Sequence, residues 1–293
     1  WAVVMPDGKP NAEAASTFGD YARLRMVPQM IEILDRFNVD GFWVDGDCWA
    51  LHLDHHPEAL RRFRDLTGSD TPPAKPGEPH WLAWTGIHRE AFETYLRGYL
   101  AAVRDHRPEV EITSNWYYSP MAPQPWDIEL DYLSGDLSHS DAVNNARFAG
   151  RVLAGYGKTW DLMSWGFSLG HGVGKVHKPA AQLNQEAAHV LALGGAYQVY
   201  YQPDRDGFLA DELLNTMAEV GRFCRARRAA CRDSQPVPQV ALLLDSVGHY
   251  TACPYPFAVW TGEHNPLQGA LQAILDAVID LERQLIEGIK TSN

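Results

Sequence analysis

Two aspartates follow short apolar segments of the sequence, at places where a carboxylate could face a ligand. Asp45 comes after a strand-like run and directly before Gly46, and Asp136 ends a second strand-like run. Each residue also has a plain structural explanation, because Asp-Gly starts many turns and Asp136 could cap a following helix. Paired carboxylates at strand ends suit glycoside cleavage, in which one attacks the sugar and the other supplies a proton.

Aromatic and polar residues accompany the same strand ends. Tryptophan and tyrosine rings offer an apolar face that can stack on a sugar, and amide or imidazole groups can hydrogen-bond its hydroxyls. The residues that the sequence offers as a substrate-binding set are Trp43, Asp47, Trp49, Asn115, Trp116, His139, Trp165, His171 and Tyr201. Packing inside the fold is the favoured alternative for Trp43. For the two histidines the alternative is a surface position, and for Asp47 it is an outward turn into the loop.

Two segments contain cofactor-like residue types without the spacing that a cofactor needs. The histidines 52, 55 and 56 around Asp54 lack the spacing of a zinc motif, and His56 fits the cap of the following helix. The Gly-rich segment 170–175 lacks the spacing of a phosphate-binding loop. We therefore expect neither a metal ion nor another cofactor.

The composition disfavours several classes of partner. Of 293 residues, 37 are acidic and 25 are basic, which gives a net charge of −12. This charge disfavours nucleic acid and anionic lipid, since both attract positively charged proteins. No apolar run reaches the roughly 18 residues that a membrane span requires. The four cysteines are too few for a disulfide framework, and Cys224 and Cys231 are expected to be buried thiols on one helix.

Apolar periodicity predicts an α/β fold in which strands and helices alternate. Strands are expected near residues 41–45, 110–115, 131–135, 159–164 and 196–201. Helices are expected near residues 21–37, 57–67, 86–106, 179–193 and 211–231. The alternation is typical of a partial (β/α)8 TIM barrel that is entered at about its fourth strand. We expect the five strands to be parallel neighbours in that order, with an open edge at the first. A smaller, complete open sheet is the alternative, but the polar strand ends favour the barrel.

The composition changes at a proline-containing linker, residues 234–239. We expect residues 1–233 to be the C-terminal part of the barrel. Residues 240–293 are expected to start a flavodoxin-like or amidotransferase-like doubly wound domain, with a strand at 240–244 and a helix at 267–286. The chain begins at Trp1 without an initiator Met or a signal-peptide pattern, so we expect a fragment, and a cytoplasmic or a secreted location stays open.

Three parts of the chain resemble known glycosidases. The segment VDGFWVDGD (39–47) resembles the strand-four motif of α-L-fucosidase-type glycoside hydrolases. The segments 114–120, 131–136 and 159–167 resemble the barrels of fucosidase-like and hypothetical glycosyl hydrolase groups. The tail 240–277 resembles the start of the trimerisation-type, amidotransferase-like domain that follows the barrel in family 42-like β-galactosidases.

The resemblance implies a retaining glycosidase that cleaves a glycoside or oligosaccharide. It implies that Asp45 is the nucleophile and that the C-terminal domain mediates homo-oligomerisation of the full-length protein. Strand order favours Asp136 as the acid/base. Fucosidase-like enzymes often bring this residue from a loop, so Asp47 and an upstream glutamate stay open as alternatives. Two departures matter: Val44 stands where a Phe is more usual, and strands four and seven lack the glutamates that β-galactosidases use. An aspartate nucleophile of the α-fucosidase or α-galactosidase type is therefore favoured over a β-galactosidase. A non-catalytic carbohydrate-binding barrel and a metal-dependent hydrolase remain open as alternatives.

Overall fold

The computed structural model describes residues 1–45, 48–137, 139, 141–170, 174–232, 234, 237, 239–257 and 266–277. Its strands are β1 (Ala2–Val4), β2 (Pro10–Ala15), β3 (Gly41–Val44), β4 (Glu111–Ser114), β5 (Leu133–Leu137), β6 (Trp160–Trp165), β7 (Phe167–Gly170), β8 (Gly174–His177) and β9 (Ala196–Tyr200). Its helices are α1 (Val27–Arg36), α2 (Pro57–Thr67), α3 (Trp81–His106), α4 (Ala142–Gly155), α5 (Ala180–Ala192), α6 (Asp211–Cys231), α7 (Ser246–Ala252) and α8 (266–277). The protein is therefore a mixed α/β structure.

All five strands expected from the sequence form, as β3, β4, β5, β6 and β9. Strands β3 and β4 pair in parallel along their whole length. Two backbone hydrogen bonds join β4 to the β5 segment: Asp131 donates to the Ile112 carbonyl at 3.1 Å, and Trp116 donates to the Ser134 carbonyl at 2.9 Å. Because these bonds advance in the same direction along both segments, β4 and β5 also run parallel.

The remaining strands continue the expected neighbour order. The Leu133 N–H donates to the Thr159 carbonyl at 2.9 Å, which places β5 beside β6, and β6 is followed in its sheet by β9. The sheets are small, and the described strands do not close into a barrel. The partial barrel accordingly stays a prediction.

The pairing of β3 with β4 requires a glycine at the start of β3. A Cβ atom built on Gly41 would collide with the backbone carbonyl of Glu111 on the neighbouring strand. Any larger residue would push the two strands apart, and the register between Gly41 and Glu111 fixes where both strands end. The two polar strand ends, at Asp45 and Asn115, are thereby set side by side.

The chain divides into two compact units. The first contains residues 1–136, 156–161 and 245–261, and the second contains residues 137–155, 162–244 and 262–293. The divisions at residues 136 and 161 fall inside strands β5 and β6. Whether residues 240–293 begin a separate domain in a longer protein remains a prediction.

In the first unit, α2 packs on α3 through a buried cluster. Its members are Ala59, Phe63, Trp81, Trp84 and Ile87. Helix α2 begins where His56 Nδ1 accepts a hydrogen bond from the Glu58 N–H at 3.2 Å, as expected for a cap. It ends at Gly68, whose φ of 73° suits a glycine.

Two helices differ from the expectation. The helix predicted over 21–37 begins with a π-helical turn, Ala22–Met26, and Pro28 lies in the first turn of α1, which continues that turn directly. Helix α4 was not predicted at all. Its buried face consists largely of alanines such as Ala146 and Ala149, so its apolar periodicity is weak.

The second unit is built on α4, α5, α6, β9 and the antiparallel hairpin of β7 and β8. Only the Gly-rich segment 170–175 of this hairpin was expected to be a loop, and the hairpin itself was not predicted. Phe167, Tyr201 and Leu213 form a buried cluster in the unit. Gly166 is required there, because a Cβ atom at this position would collide with the Tyr201 ring.

Three further points concern the C-terminal half. The strand predicted at 240–244 is not formed: residues 239–245 have no regular secondary structure, and Val240 and Leu243 are exposed. Cys224 and Cys231 are free thiols, as expected, but they are half-buried rather than buried. Within the described residues, every helix is too short or too polar to cross a membrane.

Candidate active site

Asp45 is held by two side chains at the end of β3. Asn115 Nδ2 donates to Asp45 Oδ1 at 3.1 Å, and Trp49 Nε1 lies 3.4 Å from the same oxygen, at the long end for a hydrogen bond. Among the described residues, both hydrogen bonds to Asp45 end on Oδ1. The carboxylate is exposed, so its second oxygen, Oδ2, can meet a ligand.

The backbone explains why Asp45 and Asn115 meet. The Asn115 N–H donates to the Val44 carbonyl at 2.9 Å, which continues the parallel pairing of β3 and β4 by one residue. Parallel strands present their carboxyl ends at the same edge of a sheet. Asn115 itself is fully buried, so its amide is fixed in place.

A second polar group lies one step back along the strands. Trp43 Nε1 donates to Ser134 Oγ at 2.8 Å, and the Ser134 hydroxyl donates to Asp161 Oδ1 at 2.6 Å. Trp43 shares a face of β3 with Asp45, and Ser134 shares a face of β5 with Asp136, because side chains alternate along a strand. This chain of hydrogen bonds fixes the Trp43 indole next to the strand ends.

Asp161 is a carboxylate that the sequence did not single out. It is buried on β6, and it is the second residue of that strand rather than its last. Burial raises the pKa of Tyr132 to about 12, and the negative charges of Asp161 and of nearby acids add to this shift. The sequence signal that could have revealed Asp161 is strand alternation, which places Asp161 and Trp165 on one face of β6.

Asp136, the expected acid/base, is buried on β5. It belongs to the first unit, which also contains Asp45 and Asn115. The assignment of Asp136 as the acid/base stays a prediction.

The turn that follows Asn115 has an unusual backbone. Trp116 and Tyr118 both have left-handed conformations, with φ of 74° and 68°, although neither is a glycine. Such residues cost energy and cluster at functional sites. Trp116 is buried, and its N–H is bonded to the Ser134 carbonyl, so the turn connects the end of β4 to β5.

The other predicted substrate-binding residues that the structure describes lie in the second unit. The His139 and Trp165 rings are stacked, with centroids 6.0 Å apart and planes 18° apart. Tyr201 is buried, and burial together with the Glu186 charge raises the pKa of its hydroxyl. Asp47 and His171 fall outside the described residues.

The second unit also contains a buried ion pair that the sequence did not reveal. Lys178 Nζ and Glu186 Oε1 are 2.9 Å apart, with side chains only 1% and 0% exposed. Lys178 Nζ donates to Ser164 Oγ at 3.2 Å, Ser164 also bonds to Glu186, and the Tyr197 hydroxyl donates to Glu186 at 3.1 Å. The group ties the segment after β8 to β6, α5 and β9.

The histidine-rich segment has a structural explanation. The Asp54 N–H donates to His88 Nε2 at 2.8 Å, and the Asp54 carboxylate accepts hydrogen bonds from Val4 and Ser16. Burial lowers the pKa of His88 and of His55. The described residues contain no group of three or more His, Cys, Asp or Glu side chains that could hold a metal ion.

Comparison with known proteins identifies the fold. No protein-family model matches the chain, and no curated protein sequence matches it. The chain is similar in structure to α-L-fucosidase isoenzyme 2 from Paenibacillus thiaminolyticus, with a TM-score of 0.64 and 17% identity, over 83% of this chain and 37% of that one. Further matches are the α-L-fucosidase from Vibrio sp. strain EJY3 (TM-score 0.39, 14% identity, 79% and 32% of the chains) and bee venom hyaluronidase (TM-score 0.41, 12% identity, 78% and 80%).

The first of these similarities shows a fucosidase-like glycosidase fold. The chain spans only 37% of the length of that fucosidase.

Proposed function

We propose that this chain carries the nucleophile of a retaining glycoside hydrolase, and that the nucleophile is Asp45. The observation that supports this most is the geometry of the Asp45 carboxylate. It stands at the carboxyl end of a parallel strand, with Oδ1 oriented by Asn115 and Trp49 and with Oδ2 directed to no described partner. The fucosidase-like fold agrees with this assignment.

In the proposed reaction, Asp45 Oδ2 attacks the anomeric carbon of the sugar. The glycosidic C–O bond breaks as Asp136 gives its proton to the leaving oxygen. Water then attacks the same carbon, the bond to Asp45 breaks, and the water proton passes to Asp136. One water is consumed for each glycosidic bond, and both carboxyl groups return to their starting state.

Mechanism-based labelling tests the assignment of Asp45. A panel of aryl glycosides first identifies a sugar that the protein releases, and the matching 2-deoxy-2-fluoro glycosyl fluoride then traps the covalent intermediate. Peptide mass spectrometry should find the label on Asp45. Asp45→Asn should abolish both turnover and labelling, whereas Asp105→Asn, an exposed carboxylate on α3, should change neither.

Two results would contradict the proposal. A label on another carboxylate would move the nucleophile elsewhere. Glycan binding without turnover of any aryl glycoside would favour the non-catalytic carbohydrate-binding alternative.

A further inference from the structure

A groove lies in the first unit, lined by residues other than the Asp45 carboxylate. It is formed by β2, the π-helical turn before α1, the turn that follows Trp49 and one face of α3. Its volume is about 1350 Å³. Pockets for single small ligands are roughly 300–1,000 Å³, so this groove has room for an extended ligand.

Three aromatic side chains line the groove and remain open to solvent. Tyr21 is 37% exposed, Trp49 is 39% exposed and Tyr255 is 45% exposed. Tyrosine and tryptophan rings combine an apolar face with a polar tip, which suits them to a wet binding surface. Tyr95 and Tyr99 add a wall on α3, with ring centroids 5.1 Å apart.

Polar groups alternate with these rings along the groove. Asn11, His52 and Thr94 line it and can donate or accept hydrogen bonds. Aromatic faces combined with amide, imidazole and hydroxyl groups match the chemistry of a sugar chain, which has apolar ring faces and hydroxyl edges.

The charge of the groove limits the kind of sugar. Its charged lining residues within the described chain are Glu13, Asp20 and Arg23. Arg23 and Asp20 are paired at 2.9 Å, which leaves Glu13 without a neutralising partner in the lining. A sugar chain that carried carboxylates would meet an acidic surface and no available cation, so an uncharged chain fits better.

Trp49 connects the groove to the candidate nucleophile. Its ring lines the groove, while its indole nitrogen lies 3.4 Å from Asp45 Oδ1. Trp49 therefore borders both the groove and the carboxylate.

We propose that this groove binds the neutral sugar units that extend beyond the cleaved bond of an oligosaccharide substrate. The inference rests on the proposed function for its account of cleavage, but it predicts binding that does not require turnover. The groove makes the protein selective for oligosaccharides over simple glycosides.

Binding is tested in the Asp45→Asn protein, in which cleavage cannot obscure it. Isothermal titration calorimetry is performed with neutral gluco-, xylo-, manno- and galacto-oligosaccharides of increasing length, and with oligogalacturonides as the charged counterpart. We expect affinity to rise with length for at least one neutral series and not for the oligogalacturonides. Tyr21→Ala combined with Tyr255→Ala should weaken that series by about tenfold, because each stacked ring contributes modestly. Phe208→Ala, an exposed aromatic outside the groove, is the matched control and should have no effect.

Kinetics separate the two proposals. In the otherwise unchanged protein, the double variant should lower kcat/KM for the preferred oligosaccharide about tenfold more than kcat/KM for the aryl glycoside. If Asp45 is labelled but no neutral series gains affinity with length, or the double variant binds as tightly as its parent, the groove proposal is wrong and the nucleophile assignment stands. Length-dependent binding without labelling of Asp45 would overturn the nucleophile assignment and support the groove.

Discussion

At the scale of single residues, the structure separates two polar layers on the strands. Asp45 and Asn115 form the outer layer, where the strands end. Trp43, Ser134 and Asp161 form the inner layer, joined by hydrogen bonds of 2.8 and 2.6 Å. The hydrogen bonds of the inner layer hold the Trp43 ring beside the strand ends, and we expect Asp161 to act as a positioning residue.

Removing the Asn115 amide should disturb catalysis more than folding. Asn115→Ala deletes the 3.1 Å hydrogen bond that orients Asp45 Oδ1. Since a small misplacement of a reacting group is costly, we expect kcat for the best aryl glycoside to fall by about a hundredfold. Steady-state kinetics with Asn144→Ala, an amide on α4, as the control would check this. An unchanged kcat for Asn115→Ala would show that the amide does not orient the nucleophile.

The sequence placed Asp45 and Asn115 at strand ends, where the structure has them, because strand ends can be recognised from apolar runs. It missed Asp161 because that residue lies inside an apolar strand, where a single acid has no neighbouring signal. It missed the Lys178–Glu186 pair for a related reason. The two residues are close in sequence, but only the fold removes both from water.

At the scale of elements, the buried ion pair determines how firmly the segment after β8 is attached. Lys178→Met would leave the Glu186 carboxylate buried beside Ser164 and Tyr197 without its cation. Removing one partner of such a pair lowers the free energy of unfolding by about 3–5 kcal/mol, whereas replacing both partners by apolar residues is often neutral. Urea unfolding should show that loss for Lys178→Met and a much smaller one for Lys178→Met combined with Glu186→Leu.

A surface ion pair provides the matched control for that experiment. Lys158 and Glu129 are 3.7 Å apart, with side chains 35% and 76% exposed. Lys158→Met should therefore cost no more than about 1 kcal/mol. Equal losses for Lys158→Met and Lys178→Met would show that burial does not strengthen the dependence on Lys178.

The stability of the first unit depends on pH through a histidine on helix α7. Burial, reinforced by the Arg89 charge, lowers the pKa of His249 to about 4 from its ordinary value near 6.5. Between these values the unfolded chain binds a proton that the folded chain does not, so stability decreases as pH falls. We expect the free energy of unfolding to drop by about 2 kcal/mol from pH 7 to pH 5 through this residue alone. Urea titrations at both pH values should show a smaller drop for His249→Gln, and an equal drop would rule out His249 as the cause.

Strands and helices differed in how well sequence patterns revealed them. The five strands that were expected from the sequence all form. The run at 240–244 is apolar, yet it forms no strand, since a short apolar run specifies a strand only where a neighbouring strand accepts its hydrogen bonds. Helix α4 shows the opposite case. Its alanine-rich face gives little periodic signal, but packing against α5 stabilises it.

At the scale of the whole molecule, the net charge of −12 acts on every charged ligand that approaches. A field of this sign slows and weakens the binding of anionic ligands, and salt screens it over about 10 Å at roughly 0.1 M ionic strength. Uncharged ligands do not respond to the field. The overall charge and the acidic lining of the groove at Glu13 therefore favour the same neutral class of sugar chain.

The salt dependence of glycan binding follows from this field. For the Asp45→Asn protein, any residual affinity for an oligogalacturonide should increase when the salt concentration is raised, because screening removes repulsion. The affinity for a neutral oligosaccharide of the same length should stay constant over the same range. Calorimetric titrations of both ligands at low and high salt measure the difference directly. Acidic chains that bind more tightly at low salt would reveal a local cationic site strong enough to overcome the net charge, and the groove would then have to be assigned to charged glycans.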